Sequence, residues 1–177
     1  TLAIVYPLYY VLLASITDPV VVSSGKLLLY PEAPYFEGYT RALHYAPLWT
    51  GYGNTLKYTL VGTAVALFCT IPAGYALSRI DLPGRRVLMF LFTFTMFFSG
   101  GLIPTYLLIN NLGLLDSMWA VILPGAFSVW NMIIARTYYQ GIPRELREAA
   151  DVDGASEMLY FFKILLPVCM PVVAVLA

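Results

Sequence analysis

Ionisable side chains are rare in this sequence, and the densest group lies between Arg136 and Lys163. Arg144, Glu145, Arg147, Glu148, Asp151 and Asp153 fall close together there. Arg144 and Glu148 are four residues apart, as are Arg147 and Asp151, the spacing at which opposite charges meet on one face of a helix. Pro143 suits a first helical position, and Glu145 and Glu148 come early, where the helix macrodipole favours anions. Ala149 and Ala150 offer a smooth, low surface on which another protein can seat closely. Gly154 follows Asp153 and can take the left-handed backbone that ends a helix in a turn. A second helix, Ser156 to Leu165, then presents an apolar face from Leu159, Phe162 and Leu166, and Pro167 marks the return to apolar sequence. This is the chemistry of recognition by charge and shape. By composition alone the stretch reads equally as a solvated helix–turn–helix on lipid headgroups or as an element on which a partner docks.

Bond-making chemistry finds no support. The sole histidine, His44, sits in a polar stretch far from any acid/base set and suits a surface or packing role. No HExxH helix, GxSxG elbow or GxxxxGK[ST] phosphate loop occurs, so catalysis and ATP binding by this chain are not expected. Cys69 and Cys169 both lie in apolar runs, without metal-ligand spacing or a disulfide framework, and read as small buried hydrophobes.

The elements that must position the charged stretch are membrane helices. Of 177 residues, 60% are hydrophobic and 11% charged, with ten basic and ten acidic side chains. A soluble domain carries about a quarter charged residues, since its surface must still be covered at this size. The balanced charge also leaves no electrostatic footprint for nucleic acid. Charge is absent from 1–17, 58–78, 87–115, 117–135 and 164–177. A hydrocarbon core of about 30 Å takes about 20 helical residues, so five membrane segments are predicted, near 1–16, 56–78, 87–109, 117–137 and 164–177 onward. Residues 1–17 lack the basic start and small-residue cleavage site of a signal peptide and read as a truncated membrane helix. The sequence starts without Met and stops inside an apolar run, as a piece truncated at both ends would.

Thr17 to Gly53 is rich in Pro, Gly and Tyr; Asp18-Pro19, Tyr30-Pro31 and Ala33-Pro34 predict an irregular loop with short elements, and Asn54 a cap for the second span. Lys and Arg set orientation. The segments 79–86 and 136–163 hold Arg79, Arg85, Arg86, Arg136, Arg144, Arg147 and Lys163, against Lys26, Arg41 and Lys57 on the other side. The first side is therefore expected to be cytoplasmic, with 17–53 extracytoplasmic and 138–163 facing inward. Pro7, Pro72, Pro104, Pro124, Pro167 and Pro171 predict kinks or breaks. Phe98-Ser99-Gly100-Gly101 is a mid-span discontinuity of the sort that lines a cavity. The Gly62/Ala66 and Gly74/Ser78 pairs permit close helix contact. No span holds an ionisable group of the kind ion-coupled carriers use. Asn131, Tyr106 and Trp130 are candidate sugar contacts, with helix packing and interfacial belts as the competing readings.

Glu148-Ala149-Ala150, Gly154 four residues after Ala150, then Ile164 and Leu166-Pro167, resemble the EAA loop of binding-protein-dependent ABC importer permeases. The string from Phe94 to Pro143, FTMFFSGGLIPTYLLINNLGLLDSMWAVILPGAFSVWNMIIARTYYQGIP, is similar to the carbohydrate-uptake branch that contains the smaller maltose permease subunit, and most similar to members associated with oligosaccharides from complex polysaccharides.

The resemblance implies an all-α polytopic membrane helix bundle of the type I ABC importer permease kind, with about five of six helices present in one transmembrane permease domain over 1–177. It implies a multi-pass protein of the bacterial plasma membrane. Its expected partners are two cytoplasmic ABC ATPase subunits holding ATP and Mg, a second permease subunit, an extracellular solute-binding lipoprotein, a sugar substrate and the lipid bilayer. No cofactor is expected on this chain. In that picture the 138–163 loop is the ATPase-coupling element. Glu148 makes charge-assisted contacts, Ala149 and Ala150 allow close approach, Asp153 and Gly154 set the turn, and Pro167 marks membrane re-entry. Glu148→Lys is expected to weaken ATPase association more than Glu157→Lys. The alternatives are a permease for an amino acid, peptide or phosphate, and a secondary carrier.

Overall fold

A computed structural model describes residues 2–25, 30 and 34–177. Lys26, Pro31 and Ala33, which entered the charge count and the expected turns, lie outside the described residues. Among the described residues every regular element is helical, so the chain is all-α. The chain forms two compact units, Thr1–Thr55 and Leu56–Ala177.

In the first unit an apolar helix, α1 (Leu2–Ser15), is followed by a single turn, α2 (Pro19–Ser23). Asp18 starts α2 by accepting from the Val20 amide at 2.8 Å, with Pro19 at its first position. The amphipathic α3 (Glu37–His44) ties back to α1 through Tyr39, whose hydroxyl donates to Ser15 Oγ at 2.7 Å. These short pieces occupy the first part of the 17–53 stretch expected to be an irregular loop, which ends at Ala46 where the next helix starts.

The long helix α4 (Ala46–Ser78) begins well before residue 56, and Asn54 lies inside it instead of capping it. Pro47 in the first turn is the start signal that outweighs Asn54, and Thr50 and Thr55 return their hydroxyls to the carbonyls of Ala46 and Gly51 at 3.2 and 2.9 Å. It is the one described helix long and apolar enough to cross a membrane unbroken.

The second unit continues with α5 (Arg85–Phe97) and α6 (Leu102–Asn111), which meet at 114° across Phe98–Gly101. The span predicted near 87–109 is thus broken at the expected discontinuity. Next come α7 (Met118–Gly125) and α8 (Val129–Gln140), bent by 48° after Pro124. Ser128 restarts the chain by accepting from the Asn131 amide at 3.3 Å. The amphipathic α9 (Glu145–Val152) precedes a composite helix: α10 (Glu157–Leu159), a π-helical stretch Tyr160–Leu165, and α11 (Leu166–Val168). After a 75° bend at Cys169, α12 (Met170–Leu176) completes the described chain. The ring of Pro167 cannot coexist with a regular bond at the carbonyl four residues back, and the π stretch widens the helix there.

The inward face of this composite helix is not the expected one. Leu159, Phe162 and Leu166 were the expected apolar face. Leu159 and Phe162 are instead exposed, while Tyr160, Phe161 and Leu165 join Ile71, Ala135, Tyr139, Ala150, Cys169 and Val172 in the core. Of the two cysteines, Cys169 is fully buried and Cys69 half-buried. The core is closed on one side by the α4–α8 crossing. Arg136 Nε donates to the Leu77 carbonyl at 3.1 Å, capping the end of α4.

Candidate functional site

The site is built around α9 and the turn after it. Pro143 precedes the helix instead of opening it; Glu145 is the first helical residue, and Arg144 stands at the cap with helical dihedrals of its own and no side-chain cap bond. At the other end the Gly154 amide donates to the Asp151 carbonyl at 3.1 Å and the Ala155 amide to the Ala150 carbonyl at 2.9 Å. This is the paired 5→2 and 6→1 pattern of a Schellman stop, with Gly154 at φ +72° and Ala155 packed against the core cluster. Ser156 then caps the next helix by accepting from the Leu159 amide at 3.3 Å. The turn angle expected of Gly154 is therefore realised by two backbone bonds and a left-handed residue.

The helix has two faces. Leu146 and Ala150 turn inward, Ala150 being only 4% exposed. The expectation that both alanines form an outer surface is corrected: adjacent helical residues lie about 100° apart, so Ala149 faces out while Ala150 seats α9 on its own bundle. Glu145, Glu148, Ala149 and Val152 share the outer stripe, and Asp153 and Pro167 are also exposed. Val152, at 87% exposure, is an apolar residue of that stripe that the sequence reading missed. Its position three residues after Ala149 was the available signal.

The charges are arranged differently from expectation. Arg144 and Glu148 form no ion pair among the described residues, whereas Arg147 Nε contacts Asp151 Oδ2 at 3.4 Å. The stronger partner of Arg147 is Glu157: Nη2 donates to Oε2 at 2.6 Å and Nη1 to Oε1 at 3.0 Å. The guanidinium also lies 5.3 Å from the centroid of the Tyr160 ring. Glu157 accepts further bonds from the Tyr75 hydroxyl and from Arg79 Nη1. Arg147 and Arg79 both reach the Tyr75 hydroxyl as well, at 3.1 and 3.4 Å. Arg79 in turn holds Asp81, and its hydrogen bonds press the Asp81 carboxyl down to about 2. That pair is fully formed above the ordinary carboxylate range and is lost only as the pH falls toward 2. The hydrogen bonds to Glu157 likewise raise the affinity of Arg147 for its proton. A cavity of about 620 Å³ opens beside this cluster, lined by Tyr75, Arg79, Asp81, Arg144, Arg147 and Glu148 among others. Glu157 was singled out in the sequence only as a contrast to Glu148; the structure makes it the centre of the polar network.

The candidate sugar contacts do not converge. Asn131 is half-buried in the first turn of α8, where its amide is held by Ser128, while Trp130 and Tyr106 are exposed, Tyr106 on α6. Among the described residues no hydrogen bond or ring contact joins the three.

Comparison with known proteins follows the same outline. The family described as "Binding-protein-dependent transport system inner membrane component" matches residues 66–177. The polygalacturonan/rhamnogalacturonan transport system permease protein of Bacillus subtilis (strain 168) is 41% identical over 173 residues, covering 98% of this chain and 60% of that protein. The galactooligosaccharides transport system permease protein of the same organism is 32% identical, covering 98% of this chain and 63% of that protein. The crystal structure of a bacterial ABC transporter involved in the import of the acidic polysaccharide alginate contains a chain that superposes with TM-score 0.93 at 36% identity, over 99% of this chain and 62% of that one. The chain thus spans about 60% of the length of the curated relatives it matches.

Proposed function

The chain belongs to the family of inner membrane components of binding-protein-dependent transport systems, and from that premise we propose that it is a permease subunit of an ATP-driven sugar or oligosaccharide importer. The family makes it a membrane protein. In the proposal it pairs with a second permease, receives sugar from an extracellular solute-binding protein and is driven by separate cytoplasmic ATPase subunits. The observation that carries the reading is α9 itself: a helix whose inner face is fastened to the bundle while Glu145, Glu148, Ala149 and Val152 remain open for a partner. Such a helix fits a groove on another protein, where the small Ala149 allows close approach and Val152 supplies apolar area. The seven basic residues in 79–86 and 136–163 support a cytoplasmic position for this face. The sugar class is supported by the permeases it resembles, which are named for polygalacturonan, rhamnogalacturonan and galactooligosaccharides.

The test is reconstitution of the full-length permease with its second permease, ATPase and solute-binding protein in liposomes. ATP-dependent accumulation of a labelled oligogalacturonide is expected. Accumulation of phosphate or an amino acid instead would move the assignment to another solute, and uptake persisting without the ATPase would overturn the importer reading.

Two substitutions refine this. Glu148→Lys reverses a charge on the open face without breaking an ion pair, so the variant should keep its melting temperature while ATPase recovery in a pull-down falls about tenfold. Glu157→Lys places an ammonium between Arg79 and Arg147 and should lower the melting temperature; the simple contrast expected from the sequence between these two glutamates therefore becomes one of different mechanisms. Asn131→Ala should change the ratio of uptake rates for two oligosaccharides if the amide reaches the pathway, and should scale both rates equally if it only packs α8.

A further inference from the structure

Three elements meet at one carboxylate. Tyr75 and Arg79 belong to the end of α4 and its exit, Arg147 to α9, and Glu157 to the first turn of α10. We propose that Glu157 is a positioning residue that fastens the coupling helix α9 to the end of α4, so that a push on α9 moves α4 as one body with it. The inference rests on the reading that α9 docks on an ATPase, and goes beyond it by assigning the route along which force enters the bundle.

The physical case begins with how weakly α9 is otherwise held. Its buried contacts are Ala150 and the half-buried Leu146, small and non-directional. The Glu157 carboxylate adds direction. Arg147 meets it with two nitrogens, at 3.0 and 2.6 Å, and Arg79 and Tyr75 share Oε1. The Arg79 and Arg147 side chains are partly shielded, at 24% and 27% exposure, while Glu157 is 44% exposed, so water screens the cluster in part and the number and direction of its hydrogen bonds do the fastening. Removing the carboxylate also does more than unfasten. Arg79 and Arg147 both remain within reach of the same Tyr75 hydroxyl, and two guanidiniums left facing one oxygen repel. Asp81 and Asp151 each hold only one of them from the outer side. The junction would then be driven open, separating the end of α4 from α9.

The experiment uses the full-length permease assembled with its partner permease and ATPase, with spin labels at Ile80 and at Arg144, the cap of α9, both exposed and neither on the open stripe of α9, in a background where Cys69 and Cys169 are replaced by Ala. In the parent the label-to-label distance should be narrow and unchanged between the nucleotide-free state and the state with a non-hydrolysable ATP analogue. Glu157→Gln and Arg147→Gln should each broaden it and lower ATP-driven uptake of the oligogalacturonide about tenfold. The double variant should be no worse than either single, because both substitutions remove one shared interaction. A Glu157→Gln distribution as narrow as the parent's would overturn the proposal. So would additive losses in the double variant, the signature of Glu157 acting only through the α10 dipole. Failure of the parent to recover any ATPase would instead overturn the underlying reading, and the two failures are distinguished by that control.

Discussion

Gly154→Val is expected to leave the chain in the membrane and to reduce ATPase-coupled uptake by an order of magnitude or more. The residue sits at φ +72°, and a Cβ built there meets nothing within 4 Å. The penalty is therefore one of backbone alone. An L-residue in the left-handed region costs about 1–2 kcal/mol, and a β-branched side chain more, so the population of the correct turn falls about tenfold or further. The two bonds of the stop, Gly154 to Asp151 and Ala155 to Ala150, are lost with it. Because Ala155 packs on the core cluster that holds Ala150, α9 loses both its exit angle and part of its seating. The open space makes a graded series informative. Asn, which tolerates this conformation, should be nearly neutral, Ala intermediate and Val worst. Uptake and ATPase recovery measured across the three should follow that order, and equal effects would mean that bulk, not backbone, matters there.

Gly74→Leu should have the largest effect on folding itself. A Cβ at Gly74 falls 2.7 Å from the Ala135 Cβ, 3.2 Å from the Arg136 amide nitrogen and 3.3 Å from the Met132 carbonyl oxygen. Two of these three atoms are backbone, so α4 and α8 must move apart to admit even one carbon. Overpacking of this kind costs about 1–3 kcal/mol, and the longer leucine side chain adds to it. Separation also pulls the Leu77 carbonyl away from Arg136 Nε, which now reaches it at 3.1 Å. Thermal unfolding in detergent should show a lowered melting temperature for Gly74→Ala and little recoverable protein for Gly74→Leu. Adding Ala135→Gly to Gly74→Ala removes the nearest clash and should restore part of the loss. It should not restore all of it, since the two backbone contacts remain.

Much of this architecture could be read before any coordinates. Charge-free runs locate the apolar segments because a hydrocarbon phase penalises every ionised group, and that penalty is written residue by residue. The turn after α9 was also legible, since a glycine after a short amphipathic helix suits a left-handed stop. What escaped the sequence depended on distant partners. Asn54 has the chemistry of a cap, yet Pro47 begins the helix a full two turns earlier and the helix runs on through Gly51 and Gly53. The inward face of the last composite helix was placed on Leu159, Phe162 and Leu166, but nearly every residue from Met158 to Val168 is apolar, so period alone could not single out Tyr160, Phe161 and Leu165. Ala150 and Ala149 look alike in sequence; only the packing of α9 on the core separates them. Glu157 is the plainest case. Its partners Tyr75 and Arg79 lie 82 and 78 positions away, and no local spacing announces a carboxylate that joins three elements. The candidate sugar contacts suffer from the same difficulty, because in the proposed importer the pathway would be lined by surfaces of two permeases, which no single chain contains.

The central claim is that the outer face of α9 meets an ATPase on the cytoplasmic side. Its most direct test is site-specific cross-linking in intact cells from Ala149→Cys to the ATPase subunit of the assembled transporter. The account predicts a cross-link that forms at 149 and not at the buried Ala150→Cys, and that no membrane-impermeant thiol reagent added outside can block. Blocking from outside the cell, or no ATPase adduct from position 149, would contradict it.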